Sequence, residues 1–350
     1  MGKKLRVAVV GLVMGTGHAL TYQKLDCYEL CALCDISEDA LVKAKERTGC
    51  DALYTDYGQM LNEAKPDVVC VATPNNLHED MTIQAAHAGV KAVYCEKPIT
   101  MSMGGALKMQ KACRDNGTCL VIGHQRRVSS VYRKMKEIID SGDLGEIYLM
   151  RGSCGGDFLT DGTHTIDSLM FLNDDRPVKW VVSQVYRGRK ATDEEKKADR
   201  YIFNGTRYGH NIEEGAVAMF EFSNGIRGET QTGTARIMER GYQDIEIFGS
   251  RGRLWRPGDQ ADPPLLLNTD GEFRPVDFEP VNDSLANAHQ LTADWVLGGE
   301  QPSLGIDTAL KGFELVMAIY ESARTHSKLE LPLGQMEYPL DIALRDGIME

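Results

Sequence analysis

The first 125 residues repeat one pattern: a short run of apolar residues, a break rich in glycine, proline or aspartate, and a stretch with the apolar spacing of a helix. The runs are Arg6-Val7-Ala8-Val9-Val10, Leu30 to Leu33, Val68-Val69-Cys70-Val71-Ala72, Val90 to Tyr94 and Cys119 to Ile122. Runs this apolar suit strands buried on both faces, and strands separated by helices join in parallel through right-handed crossovers. Ser37-Glu38-Asp39 caps one such helix, running towards Arg47, and others are expected around Met81 to Ala88 and Gly105 to Arg114. The pattern therefore predicts an α/β chain whose residues 1–125 form a doubly wound parallel sheet.

Beyond Arg126 the pattern changes. Helices are expected over Val131 to Ile139 and His164 to Leu172. From Trp180 onward polar and apolar residues mostly alternate between turn signals such as Ser223-Asn224-Gly225 and Gly249-Ser250-Arg251-Gly252. Residues 126–350 thus read as an α+β domain with a large, mostly antiparallel open sheet and helices on one face, two of them near Ala286 to Leu297 and Thr308 to Ala323. A chain of 350 residues, 42% hydrophobic, is long enough for two such cores. The charge run Asp193-Glu194-Glu195-Lys196-Lys197 suits an exposed loop.

Charge and cysteine usage exclude several functions. Lysine and arginine number 39 against 51 acidic residues, a net charge of −12, which argues against nucleic acid or a membrane surface as a standing partner. No apolar run reaches spanning length, and Met1-Gly2-Lys3-Lys4 passes into the first strand with no signal-peptide core, so a cytoplasmic protein is expected. The 9 cysteines are scattered and odd in number, as in a reducing compartment. Cys31 and Cys34 have the spacing of a redox or zinc pair. In a strand, however, residues three apart point to opposite faces, so core thiols are expected and no metal is implied.

Ligands of open α/β sheets bind beyond the carboxyl ends of the strands, and three breaks there carry chemistry. After the first run, Gly11-Leu12-Val13-Met14-Gly15 is a glycine loop opening a helix, where backbone N–H groups can approach a pyrophosphate. Asp35, about twenty positions on, suits the adenosine ribose hydroxyls. Valine stands at position 13 where the usual fingerprint has a second glycine. Asp35 is followed by Ile36, with no arginine for a 2′-phosphate, so NAD is favoured over NADP. The third run stops at Thr73-Pro74-Asn75. After the fourth, Cys95-Glu96-Lys97-Pro98 places a carboxylate and a lysine at the strand end, where Pro98 forces a turn.

These motifs resemble the Gfo/Idh/MocA oxidoreductases, which include glucose-fructose oxidoreductase and inositol dehydrogenases. The likeness extends through His78, Gly123-His124-Gln125-Arg126-Arg127, Ser141-Gly142-Asp143-Leu144-Gly145-Glu146-Ile147, Asp161-Gly162-Thr163-His164-Thr165-Ile166-Asp167, Ile245 to Gly252 and Ala318 to Ala323. It implies an N-terminal Rossmann domain, a C-terminal domain with an open sheet, a nicotinamide cofactor and a Lys97-Pro98 bond that can be cis. It implies cofactor contacts from Gly11, Val13, Met14, Gly15, Asp35, Ile36, Thr73, Pro74, Asn75, His78, Glu96 and Lys97. Lys97 corresponds to the lysine that touches the nicotinamide ribose and the reacting hydroxyl, and His164 to the acid/base histidine. The family's usual carboxylate lies four residues before that histidine, where this chain has Thr160. Asp161, three before, takes the supporting role here, with Asp167, one turn after, as its competitor. Substrate contacts fall to Lys97, Asp161, His164 and Arg126, with a loop from Tyr201 to Asn211.

Oxidising a secondary alcohol needs a base for the hydroxyl proton and a positive group for the developing alkoxide. Histidine suits the first and Lys97 the second, although a lysine buried beside the nicotinamide ring could itself be the base. The expected activity is NAD-dependent hydride transfer at a ring carbon of a sugar, glycoside or inositol. The alternatives are a redox-assisted glycoside hydrolase or lyase that retains its NAD, and a non-catalytic dinucleotide sensor. Val182, Val217, Met219 and Phe220 offer apolar surface to both sides of the second sheet, so a homodimer or homotetramer built through that sheet is expected.

Overall fold

The computed structural model describes residues 4–188, 192–194, 205–235, 242–281 and 284–349. They fall into two compact units, Met1–Val128 with Asp283–Ala309, and Ser129–Asn282 with Leu310–Glu350.

In the first unit six strands, β1 (Leu5–Val10), β2 (Tyr28–Cys34), β3 (Leu53–Tyr54), β4 (Val68–Val71), β5 (Ala92–Cys95) and β6 (Cys119–Ile122), pair in parallel in the order β3-β2-β1-β4-β5-β6. The crossovers carry helices α1 (Leu12–Tyr22), α2 (Glu38–Thr48), α3 (Tyr57–Ala64), α4 (His78–His87) and α5 (Met103–Asp115). This is the doubly wound parallel sheet that the repeated pattern requires, and β4 and β5 are buried at every position. Ser37 caps α2 by accepting the Ala40 N–H, with Glu38 and Asp39 favourably placed in the first turn. Helix α3 was not anticipated. It is only 8 residues long, and its signal is Asp56, whose carboxylate accepts the Gln59 N–H at 2.6 Å.

The second unit opens with α6 (Ser130–Ser141), β7 (Ile147–Cys154), a π-helical turn Phe158–Gly162 and α7 (Thr163–Leu172). It continues with β8 (Val178–Tyr186), the small hairpin β9 (Thr206–Arg207) and β10 (His210–Asn211), β11 (Gly215–Phe222), β12 (Arg227–Gly233), β13 (Gln243–Gly249), β14 (Arg253–Arg256), β15 (Leu266–Asn268) and β16 (Arg274–Pro275). Helices α8 (Ser284–Val296) and α9 (Ile306–Thr325), strand β17 (Leu329–Glu330) and helix α10 (Pro339–Arg345) complete the chain.

Nine of these strands form one sheet in the order β16-β15-β14-β13-β7-β12-β11-β8-β17, antiparallel except where β7 runs parallel to β12. Helices α7 and α9 pack on each other around Gly312, and Ser183 of β8 donates to the Ile319 carbonyl of α9. The opposite face keeps Val182 and its register partner Met219 exposed, at 41% and 45%, and Tyr186, also exposed, follows Val182 by four positions on β8. Val217 is half-buried, and Phe220 is fully buried.

A second domain covering all of 126–350 is not what the contacts give, because residues 283–309 return to the first unit. Ala288, Ala293 and Leu304 join its core, with Leu285, Leu291 and Trp295 packed against them. Helix α8 has an apolar stripe that suits either sheet, so local sequence does not say which one it covers.

Candidate functional site

In the first unit the predicted residues gather where strands β1, β4 and β5 end. Gly11 has φ 84°, and a Cβ there would lie 2.6 Å from the Ala72 carbonyl oxygen, so only glycine lets the loop cross so close to the end of β4. Helix α1 begins at the next residue with no side-chain cap from Gly11, and its Leu12 N–H is taken by Asp35, which leaves the Val13 and Met14 amides of the first turn as anion ligands. Val13 and Met14 lie exposed in that turn, and Gly15 packs against Val9 where a Cβ would clash at 2.7 Å. Asp35, at the end of β2, does more than await a ribose. Its two oxygens accept the N–H groups of Leu12 (2.7 Å) and Ser37 (2.9 Å), closing the glycine loop and the start of α2 together. Each oxygen keeps a lone pair for a further donor. Ile36 beside it is 92% exposed.

Thr73, Pro74 and Asn75 follow β4, and the Thr73 hydroxyl is buried with no hydrogen-bond partner among the described residues. An orphaned hydroxyl, a glycine cradle, uncapped helix amides and a ribose-type carboxylate make a donor set that fits a dinucleotide. His78 departs from expectation. Rather than facing a ligand it is buried, with Nδ1 2.7 Å from the Pro98 carbonyl oxygen and Nε2 3.0 Å from that of Thr73. It ties together the two loops that carry Asn75 and Lys97. Burial holds His78 below its ordinary value, and a neutral ring donates to only one of the two carbonyls. The Lys97-Pro98 bond is cis. Glu96 is held below the usual carboxylate range: burial opposes this, and His18 beside it prevails. Arg126 lies in the 3₁₀ turn Gln125–Val128 after β6.

In the second unit Asp161 and His164 share one continuous helical stretch, the π turn followed by α7, and both are buried. A π turn is a common mark of a functional position because it shifts side chains off the regular helical register. Asp161 accepts hydrogen bonds from the Tyr242 hydroxyl (2.7 Å) and from the Arg207 guanidinium. The Tyr242 ring stands edge-on to His164 with centroids 6.4 Å apart. Gly156, at φ 78°, leaves room for the Asp161 carboxylate where a Cβ would overlap it at 1.8 Å. Asp167 is also buried, one turn further along the helix.

Around this pair lies a charged cluster that sequence reasoning missed. Asp157 caps the π turn by accepting the Thr160 N–H, pairs with Arg207 at 3.0 Å, and has His210 at 3.6 Å. Glu213 accepts the Phe158 N–H (2.5 Å) and the Tyr320 hydroxyl (2.7 Å). Burial alone would push Asp157 up, but His210 and Arg207 bring it down to about 2. Glu213, buried and near the Asp157 charge, is pushed up to about 8. Arg207 and His210 belong to the Tyr201 to Asn211 segment, of which Tyr201 to Asn204 lie outside the described residues. The available signal was an arginine and a histidine three apart, followed by Glu213-Glu214, in a segment otherwise rich in glycine and tyrosine.

Residues 5–124 match the model described as "Oxidoreductase family, NAD-binding Rossmann fold", and residues 132–255 match the GFO/IDH/MocA C-terminal domain. The chain is 26% identical to the myo-inositol 2-dehydrogenase of Thermotoga maritima over 77% of its own length and 80% of that protein. It is also 26% identical to the D-glucoside 3-dehydrogenase of Escherichia coli, over 93% of its own length and 97% of that protein. Among solved structures, the WlbA dehydrogenase from Bordetella pertussis, in complex with NADH and UDP-GlcNAcA, superposes with a TM-score of 0.76 at 23% identity. That match covers 95% of this chain and 100% of the other.

Proposed function

The chain belongs to the Gfo/Idh/MocA oxidoreductase family, and on that premise we propose that it transfers a hydride between NAD and a ring secondary alcohol or ketone of a sugar, glycoside or inositol. The observation that carries this reading is the Glu96-Lys97-Pro98 turn at the carboxyl edge of a Rossmann sheet, beside a cradle whose donors suit a dinucleotide.

Gly11, Val13, Met14 and Gly15 hold the pyrophosphate, Asp35 and Ile36 the adenosine ribose, and Thr73, Pro74, Asn75, Glu96 and Lys97 the nicotinamide half. A nicotinamide held by these residues would supply the acceptor for a hydride from the carbinol carbon, or the donor for the reverse reaction. His164 takes the hydroxyl proton. Lys97 stabilises the developing alkoxide with its charge and orients the ribose. Asp161, anchored by Arg207 and Tyr242, supports His164 and contacts the substrate, as does Arg126. Asp161 is favoured over Asp167 for this role because its two anchors fix it beside the ring that packs on His164. No helix among the described residues is long and apolar enough to cross a membrane, and we place the enzyme in the cytoplasm. The open face around Val182 and Met219 supports a homodimer or homotetramer built sheet to sheet.

A panel of sugars, glycosides and inositols incubated with NAD and read at the absorbance of reduced nicotinamide tests the activity. Net NADH with at least one of them is expected. Cleavage of a glycoside with no NADH accumulating would replace the dehydrogenase with a lyase or hydrolase that retains its cofactor. Tight NAD binding with no conversion of any substrate would point to a sensor.

A further inference from the structure

The turn that carries Lys97 is tied into the first unit by a string of side chains from three distant parts of the sequence. Glu96 Oε2 accepts the backbone N–H of Lys97 at 3.3 Å. Glu96 Oε1 lies 3.1 Å from Nε2 of His18 on α1. His18 Nδ1 lies 3.1 Å from Nε2 of His289 on α8. Both histidines are buried, and the His289 ring stacks on Tyr22 at 3.9 Å and meets Tyr94 edge-on at 4.6 Å. Position along the string is therefore set by packing as well as by hydrogen bonds.

The proton count decides what the string is. A neutral His18 protonated on Nδ1 would turn its Nε2 lone pair on the Glu96 carboxylate. Protonated on Nε2, it would take its second hydrogen bond from His289. An imidazolium donates both ways. His289 Nδ1, which has no hydrogen-bond partner among the described residues, is a bare lone pair in the second arrangement and an N–H in the third, so that atom does not favour the imidazolium. The carboxylate does, because a buried carboxylate is costly beside a neutral ring and far less so beside a cation 3.1 Å away.

We propose that His18 is a positioning residue held as an imidazolium: bridging His289 and Glu96, it fixes the Glu96 carboxylate and, through it, the main chain from which Lys97 projects. The groups facing it are Glu96 and Tyr94 from β5 and its turn, Cys70 from β4 and His289 from α8, with Tyr22 stacked on the far ring. Burial opposes the charge on His18, and the Cys70 sulfur and Glu96 outweigh it, raising the ring to about 10. Burial and the His18 charge together drive His289 well down, which leaves it neutral and able to accept. This assignment rests on the reading of Lys97 as catalytic, and its test separates the two.

Nitrogen-15 NMR of the ring nitrogens in the ligand-free protein reads the proton directly. One of the 8 histidines keeps the imidazolium pattern to at least about pH 8.5, two units above the reference value, and His18→Gln removes that signal. A neutral His18 at pH 7 overturns the proposal. His289→Leu removes the acceptor while sparing Glu96, and lowers the His18 titration by about one pH unit or more; His289→Gln, which offers an amide oxygen, restores it. An unshifted titration in His289→Leu overturns the string, and this arm holds even where His18→Gln fails to fold. In folded His18→Gln, hydrogen exchange at the Lys97 amide accelerates and kcat falls, each about tenfold, with KM for NAD changing less than about threefold. Unchanged Lys97 exchange overturns the positioning role. A protein that oxidises no sugar or inositol yet shows the NMR and exchange signatures would sink the functional reading and leave this one standing.

Discussion

The two units hold their buried charges in opposite ways. In the first, one carboxylate, Glu96, is matched by His18, and the result is a neutral string under the Lys97 turn. In the second, Asp157 and Asp161 share Arg207, His210 lies beside Asp157, and Glu213 holds the Phe158 N–H one residue along, so carboxyl groups are in surplus over the one guanidinium. The surplus falls unevenly: Asp157, next to Arg207 and His210, is driven down to about 2, while Glu213, bonded to a tyrosine and an amide, is pushed up to about 8. A carboxylate's protonation here follows its neighbours, not its residue type.

The sharpest way to break this comparison is through the two residues assigned to chemistry. His164→Ala is expected to cost on the order of a hundredfold or more in turnover and to remove one ionisation from the rate–pH profile. Lys97→Met is expected to depress turnover about a hundredfold at every pH while weakening NAD only modestly. An ionisation that survives His164→Ala and vanishes in Lys97→Met would make Lys97 the base.

Arg207→Met strips the Asp157–Asp161 cluster of its guanidinium. Removing one partner of a buried pair costs about 3–5 kcal/mol, and Arg207 is largely buried against Asp157 and Asp161. Urea unfolding at pH 7 checks this; a loss below about 1 kcal/mol would mean that solvent, not Arg207, balances the cluster.

Glu213→Gln probes the same surplus more gently. The folded protein keeps the Glu213 proton up to about pH 8, whereas an unfolded chain releases it near 4.5. Between those values the folded state binds more protons, so this group makes stability fall as pH rises. Glutamine should abolish that part of the slope, by on the order of a few kcal/mol across the window. Parallel unfolding curves for both proteins at pH 5 and pH 8 would show that Glu213 is ionised throughout.

Asp35→Ser is the mildest perturbation. It should weaken NAD and narrow the NAD-over-NADP preference, each within about tenfold, since serine keeps one oxygen for the ribose and removes the repulsion toward a 2′-phosphate. Equal affinities for both cofactors in the unmodified enzyme would remove the basis for this prediction.

How much was legible in the sequence follows the range of the interaction. The parallel sheet, the glycine loop, Asp35, the Lys97 turn and the alternating second sheet all depend on local period, strand-end chemistry and turn residues, which act over a few positions. The overlooked α3 is short and carries little period. His18 and His289 stand 271 positions apart, and neither has a distinctive neighbour. Their pairing, the return of residues 283–309 to the first unit, the Asp157–Arg207–Asp161 cluster and the loop-bridging place of His78 exist only because the chain closes on itself. Burial then sets the protonation states. Sequence determined which chemistry stands at the strand ends; tertiary structure decided which buried groups hold it there and with what charge, because electrostatic energies depend on distance and solvent exclusion, which no local pattern encodes.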